Sequence, residues 1–442
     1  MAAMQASPLA AHHSALTPVP PATPLQQDAA TIGLVAGAHA CSHFAHLLLP
    51  PLFAVFAVEF NLSFTQLGLL MTLFFVVSGS GQLISGFVVD RVGARPILFA
   101  SFVCFIGACL AGSVAQGYGG LMLVALLAGM GNAPFHPVDF SILNQRVSAA
   151  RLGYGFSAHG LAGNLGWALA PAFFAFMTSF TNWRNAYLTA ACGYAVVLAV
   201  LVLNGRKLKT RTAAEQAAAK QAQQASVAAS TAPGATATQA SVDAEVRQSV
   251  FAYLKLPVVW WCFAFFFLTT VMLSVIQNYS SPILSKLFGA SPTVAAMTIT
   301  AYMTAGAVGM FMGGFVVAKH PKASDKVVSV CMTAGALLVA LCATGWLGAT
   351  GTMALLAATG FAVGIGGPSR DMMIKKATPS EATGRVYGTV YSGLDIGFAV
   401  SPLIFGTLMD AGWYRATLAG AALALLLSVY TAIGVGKRTP KA

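Results

Sequence analysis

The chain has 442 residues, of which 57% are hydrophobic and 8% are charged, and its formal net charge is +12. Soluble globular proteins carry about 25% charged residues, so this composition excludes a soluble fold and indicates an integral membrane protein. The excess of basic residues does not indicate nucleic acid binding, because these residues gather in short loops between long apolar stretches.

The apolar stretches predict the transmembrane helices. A helix of about 20 apolar residues is long enough to cross the hydrocarbon core of a bilayer. Twelve stretches meet this length and are numbered span 1 to span 12 in chain order. They lie at about 31–57, 65–88, 97–115, 120–145, 153–178, 185–203, 257–280, 293–318, 327–348, 352–374, 384–409 and 413–435. The sequence therefore predicts an all-α integral membrane fold.

Two polar segments lie outside the spans. Residues 1–30 are rich in proline and alanine and contain no lysine or arginine, which excludes an ordinary signal peptide and predicts a disordered tail. Residues 206–250 are rich in alanine, glutamine, serine and threonine and show no periodic apolar face. Such a composition cannot bury enough surface to fold, so we predict a linker, with a transient surface helix over Thr212 to Ala225.

The linker divides the spans into two sets of six. We expect an N-terminal bundle over residues 31–205, a C-terminal bundle over residues 251–437 and a short tail over residues 438–442. Most lysine and arginine residues fall in loops on one side if the N-terminus is cytoplasmic. This positive-inside distribution predicts a multi-pass protein of the inner (plasma) membrane with both termini and the linker in the cytoplasm.

The two halves repeat each other in three places. The repeated pairs of segments begin at Gly86 and Gly314, at Gly129 and Gly364, and at Gly163 and Leu394. Aligning the third pair on its prolines places Asn164 opposite Asp395. Three repeats in the same order indicate that one half arose by duplication of the other, which is the architecture of secondary transporters.

The loop after span 2 has the pattern Gly-x-x-x-Asp-Arg-x-Gly-x-Arg, formed by Gly86, Asp90, Arg91, Gly93 and Arg95. With this motif the chain resembles the major facilitator superfamily. Within the superfamily it is similar to the fosmidomycin-resistance-like group. That similarity is carried by Ser42-His43-Phe44, Glu59-Phe60, Leu62-Ser63-Phe64, Gln66-x-Gly68, Gln82, Phe135-His136-Pro137 and Gly163-Asn164-x-Gly166.

The resemblance implies a major facilitator fold of two pseudo-symmetric six-helix bundles. It also implies that the loop motif is a conformational switch that stabilises the outward-open state. Asp90 suits this role because a carboxylate can meet a helix N-terminus or a basic residue in one state only. The second copy of the motif has Ala318 at the corresponding place, so we expect an asymmetric switch.

Span 1 carries three histidines, His39, His43 and His46, which fall within a stripe of about 60° on one helix face. Histidine changes its charge near neutral pH, so this stripe suits anion binding, and His43 also suits proton coupling. The alternative is that the histidines form hydrogen bonds between helices. A metal site is not expected, because no acidic residue stands beside them in the sequence.

Spans 4 and 5 add a second polar group, which comprises His136, Asp139, His159 and Asn164. Pro134 and Pro137 predict a break in span 4, and the carbonyl groups freed by a break are tolerated only within protein or beside water. We therefore expect His136 and Asn164 to bind substrate and Asp139 to take part in proton coupling. The alternative is that the prolines only kink a packed helix.

Arg370, near the end of span 10, is an arginine within an apolar stretch. Its guanidinium group could hold a carboxylate or phosphonate through two parallel hydrogen bonds. The alternative is a gating ion pair with Asp371 or Asp139.

Span 11 carries Tyr391, which we expect to contact substrate, and Asp395 near the middle of the membrane. Burial of a carboxyl group disfavours its charged form, so Asp395 is the leading candidate for proton coupling. The alternative is a structural aspartate that accepts hydrogen bonds from tyrosine or serine.

These features predict a secondary active transporter that moves a small organic or drug-like anion by alternating access, coupled to protons. An uncoupled facilitator and a transport-dead membrane sensor remain alternatives, and uptake and efflux stay open. No cofactor and no enzymatic activity are expected, and the absence of a nucleotide-binding Gly-x-x-x-x-Gly-Lys loop argues against an ATP-driven pump. We expect a monomer whose partners are the substrate, protons and the lipid bilayer.

Overall fold

A computed structural model describes residues 24–230, 252–377 and 383–439, which are helical with short connections and contain no strand. Twelve helical segments in these ranges are long and apolar enough to cross a membrane. The predicted all-α fold with twelve transmembrane helices is confirmed.

The helices of the first six spans are Leu25–His46 with Phe53–Glu59, Phe64–Val92, Ala94–Ser113, Tyr118–Asn132 with Phe135–Arg146, Leu152–Phe180, and Trp183–Leu203. The helices of the last six are Pro257–Phe288, Pro292–Lys319, Ser324–Thr344, Gly348–Ala377, Thr383–Asp410 and Tyr414–Arg438. The predicted spans coincide with these helices apart from their ends.

Local sequence signals explain several helix ends. Span 2 begins with a capping box, in which Ser63 and Gln66 each accept a hydrogen bond from the backbone N–H of the other. It ends at Gly93, whose φ of +82° is one that residues with a side chain rarely adopt. The break predicted in span 4 is present, because one helix ends at Asn132 and the next begins at Phe135.

Span 1 is also divided, and the sequence analysis did not foresee this. Its two helices are joined by a 3₁₀ turn at Pro50–Leu52. Proline lacks the N–H that an α-helix needs at its interior positions, so two consecutive prolines end the first helix.

Glycine residues set the close packing of helices within each bundle. A Cβ atom on Gly166 of span 5 would lie 2.1 Å from the carbonyl oxygen of Ala40 in span 1. In the other bundle, a Cβ atom on Gly364 of span 10 would lie 2.2 Å from the carbonyl oxygen of Gly306 in span 8. In lipid, apolar attraction between helices is absent, so such close backbone approach is a main source of association.

The two bundles meet along two pairs of spans, with span 2 against span 11 and span 5 against span 8. We call these two lines of contact the seam. Thr72 donates a hydrogen bond to the carbonyl oxygen of Ala399 at 2.7 Å, and Thr300 donates one to the carbonyl oxygen of Ala168 at 3.0 Å. Span 2 thus faces span 11, which is the repeat equivalent of span 5, and span 5 faces span 8, which is the repeat equivalent of span 2.

The seam is tightly joined at one end of the molecule, which we call the Asp410 end. The Asp410 carboxylate, at the end of span 11, accepts hydrogen bonds from the backbone N–H groups of Phe64 and Thr65, at 2.5 and 2.9 Å. The Thr65 hydroxyl donates a further bond at 2.5 Å. The carboxylate therefore caps the N-terminus of span 2 across the seam, where the helix dipole favours a negative charge.

The opposite end carries the loop motif, and we call it the Asp90 end. In the described part of the chain, the hydrogen bonds across the seam lie between the middle of the spans and the Asp410 end. Large apolar side chains are exposed near both ends, among them Phe87 at 74% and Trp413 at 62%, as expected of surface that faces lipid. The difference between the two ends therefore lies in the hydrogen bonds across the seam.

The first helix begins six residues before the predicted start of span 1. Helix formation begins at Leu25, because the carboxylate of Asp28 is buried and anchors this turn through an ion pair with Arg151 at 2.7 Å and a hydrogen bond from Ser148 at 2.5 Å. The remainder of the predicted tail, residues 1–23, lies outside the described residues.

The first part of the predicted linker packs against the N-terminal bundle. Leu208 is buried, and the Thr210 hydroxyl accepts a hydrogen bond from the backbone N–H of Ala94 at 2.8 Å. A helix follows at Ala213–Ser230, where a surface helix was predicted, and residues 231–251 are outside the described ranges. Thr212 caps this helix, and the hydrogen bonds that Thr212 donates hold the pKa of Glu215 below its ordinary value.

We predict that Asp410→Ala opens the Asp410 end. Loss of the shared hydrogen bonds at an exposed site should weaken its closure by about 1–2 kcal/mol, which is about a 5- to 30-fold change in the equilibrium. The measurement is the distance between spin labels at Asn61 and Trp413, in a protein whose native cysteines are replaced. Thr407→Val is the matched control, because the Thr407 hydroxyl bonds only within its own helix. An unchanged distance distribution in Asp410→Ala would contradict a closing role.

Candidate functional site

The core of the N-terminal bundle contains a buried cluster of one carboxylate and two imidazoles. Asp139 of span 4 has no exposed surface, and His39 of span 1 and His159 of span 5 are 2% and 6% exposed. The two imidazole rings stack with their centroids 3.5 Å apart. The cluster joins three spans, and two of its members, His39 and Asp139, are among the predicted site residues.

The two histidines contact the same carboxylate oxygen. His159 Nε2 lies 3.1 Å from Asp139 Oδ2 in a hydrogen bond. His39 Nδ1 lies 3.0 Å from the same oxygen, which is close enough for an ion pair, but the alignment is not that of a hydrogen bond. Asp139 Oδ1 has no hydrogen-bond partner.

A glycine in span 5 makes room for the histidines of span 1. A Cβ atom on Gly163 would lie 2.6 Å from His43 Cε1 and 3.2 Å from His39 Nε2. The imidazole of His43 packs with its centroid 4.2 Å from that of the Trp167 ring, and its Nδ1 has no hydrogen-bond partner. The Gly-Asn-x-Gly pattern of span 5 therefore positions the predicted histidine stripe.

His46 has a different environment from the other two histidines of span 1. Its Nδ1 accepts a hydrogen bond from Trp167 Nε1 at 3.2 Å, so the ring proton resides on Nε2, which donates to Asn132 Oδ1 at 3.0 Å. Asn132 in turn donates to the Ser78 hydroxyl at 2.8 Å. Both ring nitrogens of His46 are used, so its geometry matches the alternative of hydrogen bonding between helices better than substrate binding.

The sequence analysis did not single out Trp167, Asn132 or Ser78. Trp167 lies within the repeated segment of span 5 and Asn132 directly precedes the break in span 4, so both stood next to features that had been recognised. Their hydrogen bonds join residues of different spans, and the sequence alone does not show which spans are neighbours.

His136 lies at the accessible edge of the cluster. Its imidazole centroid is 5.6 Å from that of His39 and 6.0 Å from that of His159, and its side chain is exposed. The described structure thus brings four of the predicted residues into one neighbourhood: His39, His43, His136 and Asp139.

Asn164 and Asp395, which the repeat places at equivalent positions, both contact the opposite bundle. Asn164 Nδ2 lies 3.7 Å from Met310 Sδ of span 8 and donates to the carbonyl oxygen of Gly160 within its own helix. Asp395 lies against Gly79 of span 2, where an added Cβ atom would come within 3.7 Å of Asp395 Oδ2. Both residues therefore lie on the seam.

Asp395 is half-buried and forms no hydrogen bond or ion pair with any described residue. The alternative of a structural aspartate bonded to tyrosine or serine has no support in this arrangement. Gly79 directly follows Ser78, so the hydrogen-bond network of His46 ends one residue from the point where Asp395 meets span 2.

Arg370 is separate from the histidine cluster and lies in the C-terminal bundle. Its Nε donates to Asp371 Oδ1 at 2.9 Å, and its side chain is 29% exposed. The guanidinium carbon lies 5.2 Å from the ring centroid of Phe266, and the Tyr391 ring packs 4.8 Å from that same ring. The predicted ion pair with Asp371 is present, whereas Asp139 is paired with histidines.

The family of this chain is shown by its similarity to known proteins. The model of the Major Facilitator Superfamily matches residues 35–283 and 263–442. The chain belongs to the Major Facilitator Superfamily. It is therefore a transporter-family protein and not an enzyme, as the sequence predicted.

Relatives of this transporter family carry different cargoes. The chain is 28% identical over 163 residues to the probable L-galactonate transporter of Escherichia coli K12, and 26% identical over 141 residues to the fosmidomycin resistance protein of the same organism. These matches span 36% and 34% of those relatives and 36% and 32% of this chain. The second agrees with the subgroup resemblance.

Two further matches cover nearly the whole chain. The chain is 24% identical over 425 residues to the probable nitrate/nitrite transporter NarK2 of Mycobacterium tuberculosis, covering 92% of this chain and 97% of the relative. The solved structure of a D-xylose-proton symporter superposes with a TM-score of 0.73 at 14% identity, covering 94% of this chain and 98% of that structure. The latter shows the fold, which confirms the predicted arrangement of two six-helix bundles.

In this member of the superfamily the loop motif makes few contacts. Asp90 and Arg91 are exposed, and neither forms an ion pair within the described ranges. A Cβ atom on Gly93 would lie 3.4 Å from the Thr210 hydroxyl and carbonyl oxygens, so the linker packs closely over the turn. A partner for Asp90 in another conformation stays a prediction.

We predict that Gly163→Ala disrupts the histidine cluster. The added methyl group would overlap the His43 ring, and overpacking of this kind costs about 1–3 kcal/mol. Purified Gly163→Ala should therefore unfold at a lower temperature than the unaltered protein. The matched control is Gly160→Ala in the same helix, where nothing lies within 4 Å of the added Cβ atom and alanine favours the helix. Equal melting temperatures for the two variants would contradict this account of Gly163.

Proposed function

We propose that this protein is a proton-coupled secondary transporter that moves a small organic anion across the inner membrane by alternating access. The observation that carries the proposal is the asymmetry of the seam. In the described part of the chain, hydrogen bonds join the bundles at the Asp410 end and near the middle of the spans but not at the Asp90 end, and titratable and cationic groups lie between these levels. This arrangement is expected of a transporter with its central site open to one side.

An anionic substrate is supported by the groups that lie towards the Asp90 end. Arg370 uses only Nε in its bond to Asp371, and its two terminal nitrogens form no hydrogen bond with the described residues. A guanidinium group with two terminal N–H donors available is suited to a carboxylate or phosphonate. The exposed imidazole of His136 offers a second donor, and we propose Tyr391 and Asn164 as further substrate contacts.

The names of two relatives agree with an anionic substrate. L-galactonate, nitrate and nitrite are anions, and the proteins named for carrying them match this chain over 36% and 92% of its length.

Within the histidine stripe, His39 and His43 are better candidates for substrate binding than His46, because both ring nitrogens of His46 already form hydrogen bonds.

We assign proton coupling chiefly to Asp395, with Asp139 and His43 as further candidates. Asp395 lies where two bundles meet and has no described partner, so its protonation state can respond to the separation of the bundles. A carboxyl group whose surroundings differ between the two states of a transporter couples proton binding to the conformational change.

The orientation follows from the basic residues. Arg91, Arg146 and Lys319 lie at the Asp90 end, as does the basic segment from Arg206 to Arg211. By the positive-inside rule we propose that the Asp90 end and both termini are cytoplasmic, and that the described state opens towards the cytoplasm. We further propose that the protein acts as a monomer.

We predict that Asp395→Asn abolishes accumulation of substrate driven by a pH gradient while exchange of substrate across the membrane persists. The amide keeps the shape of the side chain but cannot bind and release a proton. The assay uses proteoliposomes, with Asp325→Asn in span 9 as a control that removes a carboxylate away from the seam. Undiminished accumulation by Asp395→Asn would rule out this coupling role, and no accumulation by the unaltered protein would favour an uncoupled facilitator.

We predict that Arg370→Lys raises the apparent KM severalfold, because an ammonium group cannot form two parallel hydrogen bonds. Asp371→Asn separates this role from a gate. If the pair of Arg370 and Asp371 is a gate, both variants should change transport in the same way with the KM unaltered. If Arg370 binds the anion, only Arg370→Lys should raise the KM.

A further inference from the structure

We propose that His39, Asp139 and His159 form a binding site for a divalent first-row transition metal ion. This inference does not depend on the proposed transport of organic anions, and it leaves His43 as the substrate candidate of the histidine stripe, because His39 becomes a ligand of the ion. It also reverses an expectation from the sequence, where the histidines of span 1 had no acidic neighbour. The fold supplies that neighbour from span 4.

The spacing of the three donor atoms fits a metal ion. His39 Nδ1, Asp139 Oδ2 and His159 Nε2 all lie within 4.8 Å of one another. The two nitrogens are 3.0 and 3.1 Å from the oxygen. Zinc binds imidazole nitrogen and carboxylate oxygen at about 2.0–2.2 Å with tetrahedral geometry, which places its ligand atoms about 3.3–3.5 Å apart. The two nitrogen–oxygen distances are a few tenths of an ångström shorter than this spacing, so a bound ion would draw the three donors around itself by small side-chain movements.

The directions of the polar groups are a second indication. His39 Nδ1 is near Asp139 Oδ2 but does not point along a hydrogen bond to it, and Asp139 Oδ1 has no partner. Groups held only by hydrogen bonds align with each other, and buried polar atoms are rarely left without a partner. Ligands of a shared ion instead converge on a point between them.

The charge balance points in the same direction. A carboxylate with no exposed surface inside a membrane protein is costly unless a positive charge compensates it. In the described part of the chain, the close contacts of Asp139 are to His39 and His159, with no lysine or arginine. If both imidazoles are neutral, a divalent ion supplies the missing positive charge.

The donor set restricts the kind of ion. Imidazole nitrogen suits zinc, copper, nickel and iron, whereas magnesium and calcium prefer oxygen ligands. Three protein ligands leave at least one coordination position for water or another small ligand. His136 borders the cluster and is exposed, so it marks a route to the ion.

A bound metal would also simplify the assignment of proton coupling. It would hold Asp139 deprotonated and remove it from the coupling candidates, which leaves Asp395 as the carboxyl group that exchanges protons.

The test uses the full-length protein, purified with a tag that contains no histidine and treated with a chelator. The protein is then equilibrated with Zn²⁺ and desalted, and its metal content is measured by mass spectrometry and its Kd by calorimetry. We expect one Zn²⁺ per chain and no binding of Mg²⁺. Asp139→Asn and His159→Gln should each raise the Kd for Zn²⁺ at least tenfold.

His320→Gln is the matched control, because His320 is an exposed histidine in the loop after span 8. It should leave the Kd unchanged. Absence of Zn²⁺ from the unaltered protein would overturn the proposal, as would retention of full affinity by both cluster variants. In either case the cluster would be a packed arrangement of hydrogen-bonded side chains.

A measurement on the unaltered protein covers the case in which the variants fail to fold. Co²⁺ bound by three protein ligands in a four- or five-coordinate site absorbs strongly in the visible range, whereas hydrated octahedral Co²⁺ absorbs weakly. We expect strong absorption that saturates at one Co²⁺ per chain and disappears when Zn²⁺ is added. A spectrum like that of hydrated Co²⁺ would contradict the site.

Discussion

A fully buried carboxylate within a membrane protein requires compensation by positive or hydrogen-bonding partners, and the N-terminal bundle is arranged around this requirement at Asp139. His39 and His159 provide the partners from two other spans. The break in span 4 and the small residues of span 5 bring these side chains within reach. The polar cluster thus specifies how spans 1, 4 and 5 pack, in a solvent where apolar attraction cannot do so.

The same bundle separates two kinds of histidine along a single helix. His46 is held between Trp167 and Asn132 with both nitrogens bonded, which fixes its tautomer and its orientation. His39 and His43 each retain a ring nitrogen without a hydrogen-bond partner. A stripe that looks uniform in the sequence therefore divides into a structural member and two members with binding capacity.

The duplication is visible in the fold, and the functional groups have diverged from it. Asn164 and Asp395 hold equivalent places, and each faces the other bundle. One is a neutral amide and the other is a carboxyl group that can bind a proton. The symmetry of the helices allows two similar states, while the chemical difference at the seam is what we propose couples a proton to their exchange.

Much of the fold could be predicted from sequence, because apolar length defines transmembrane helices and the loop motif defines the superfamily. The break in span 4 was predicted from Pro134 and Pro137, which alter the backbone locally. Contacts between distant residues could not be predicted in this way. Asp139 meets His39 across about 100 residues of sequence, and helical periodicity does not say which spans are neighbours.

The end of span 11 shows a similar limit. In the sequence, Asp410 is an ordinary polar residue at the end of a helix. Its hydrogen bonds to the backbone of Phe64 and Thr65 form only because the two bundles dock in this way. Likewise, the helical start at Leu25 depends on the anchor of Asp28 to the loop between spans 4 and 5. The sites that were missed are those where tertiary contacts give a residue its role.

Counterflow in proteoliposomes tests the central claim, that this protein carries small anions by alternating access, most directly. A panel of small organic and inorganic anions is first screened for those that raise the melting temperature of the purified protein. Labelled stabilising anions are then offered to vesicles loaded with the same unlabelled anion. The account predicts saturable uptake that is accelerated by the internal anion. Absence of such exchange for every stabilising anion would contradict it and would favour a membrane sensor that binds its ligand without transport.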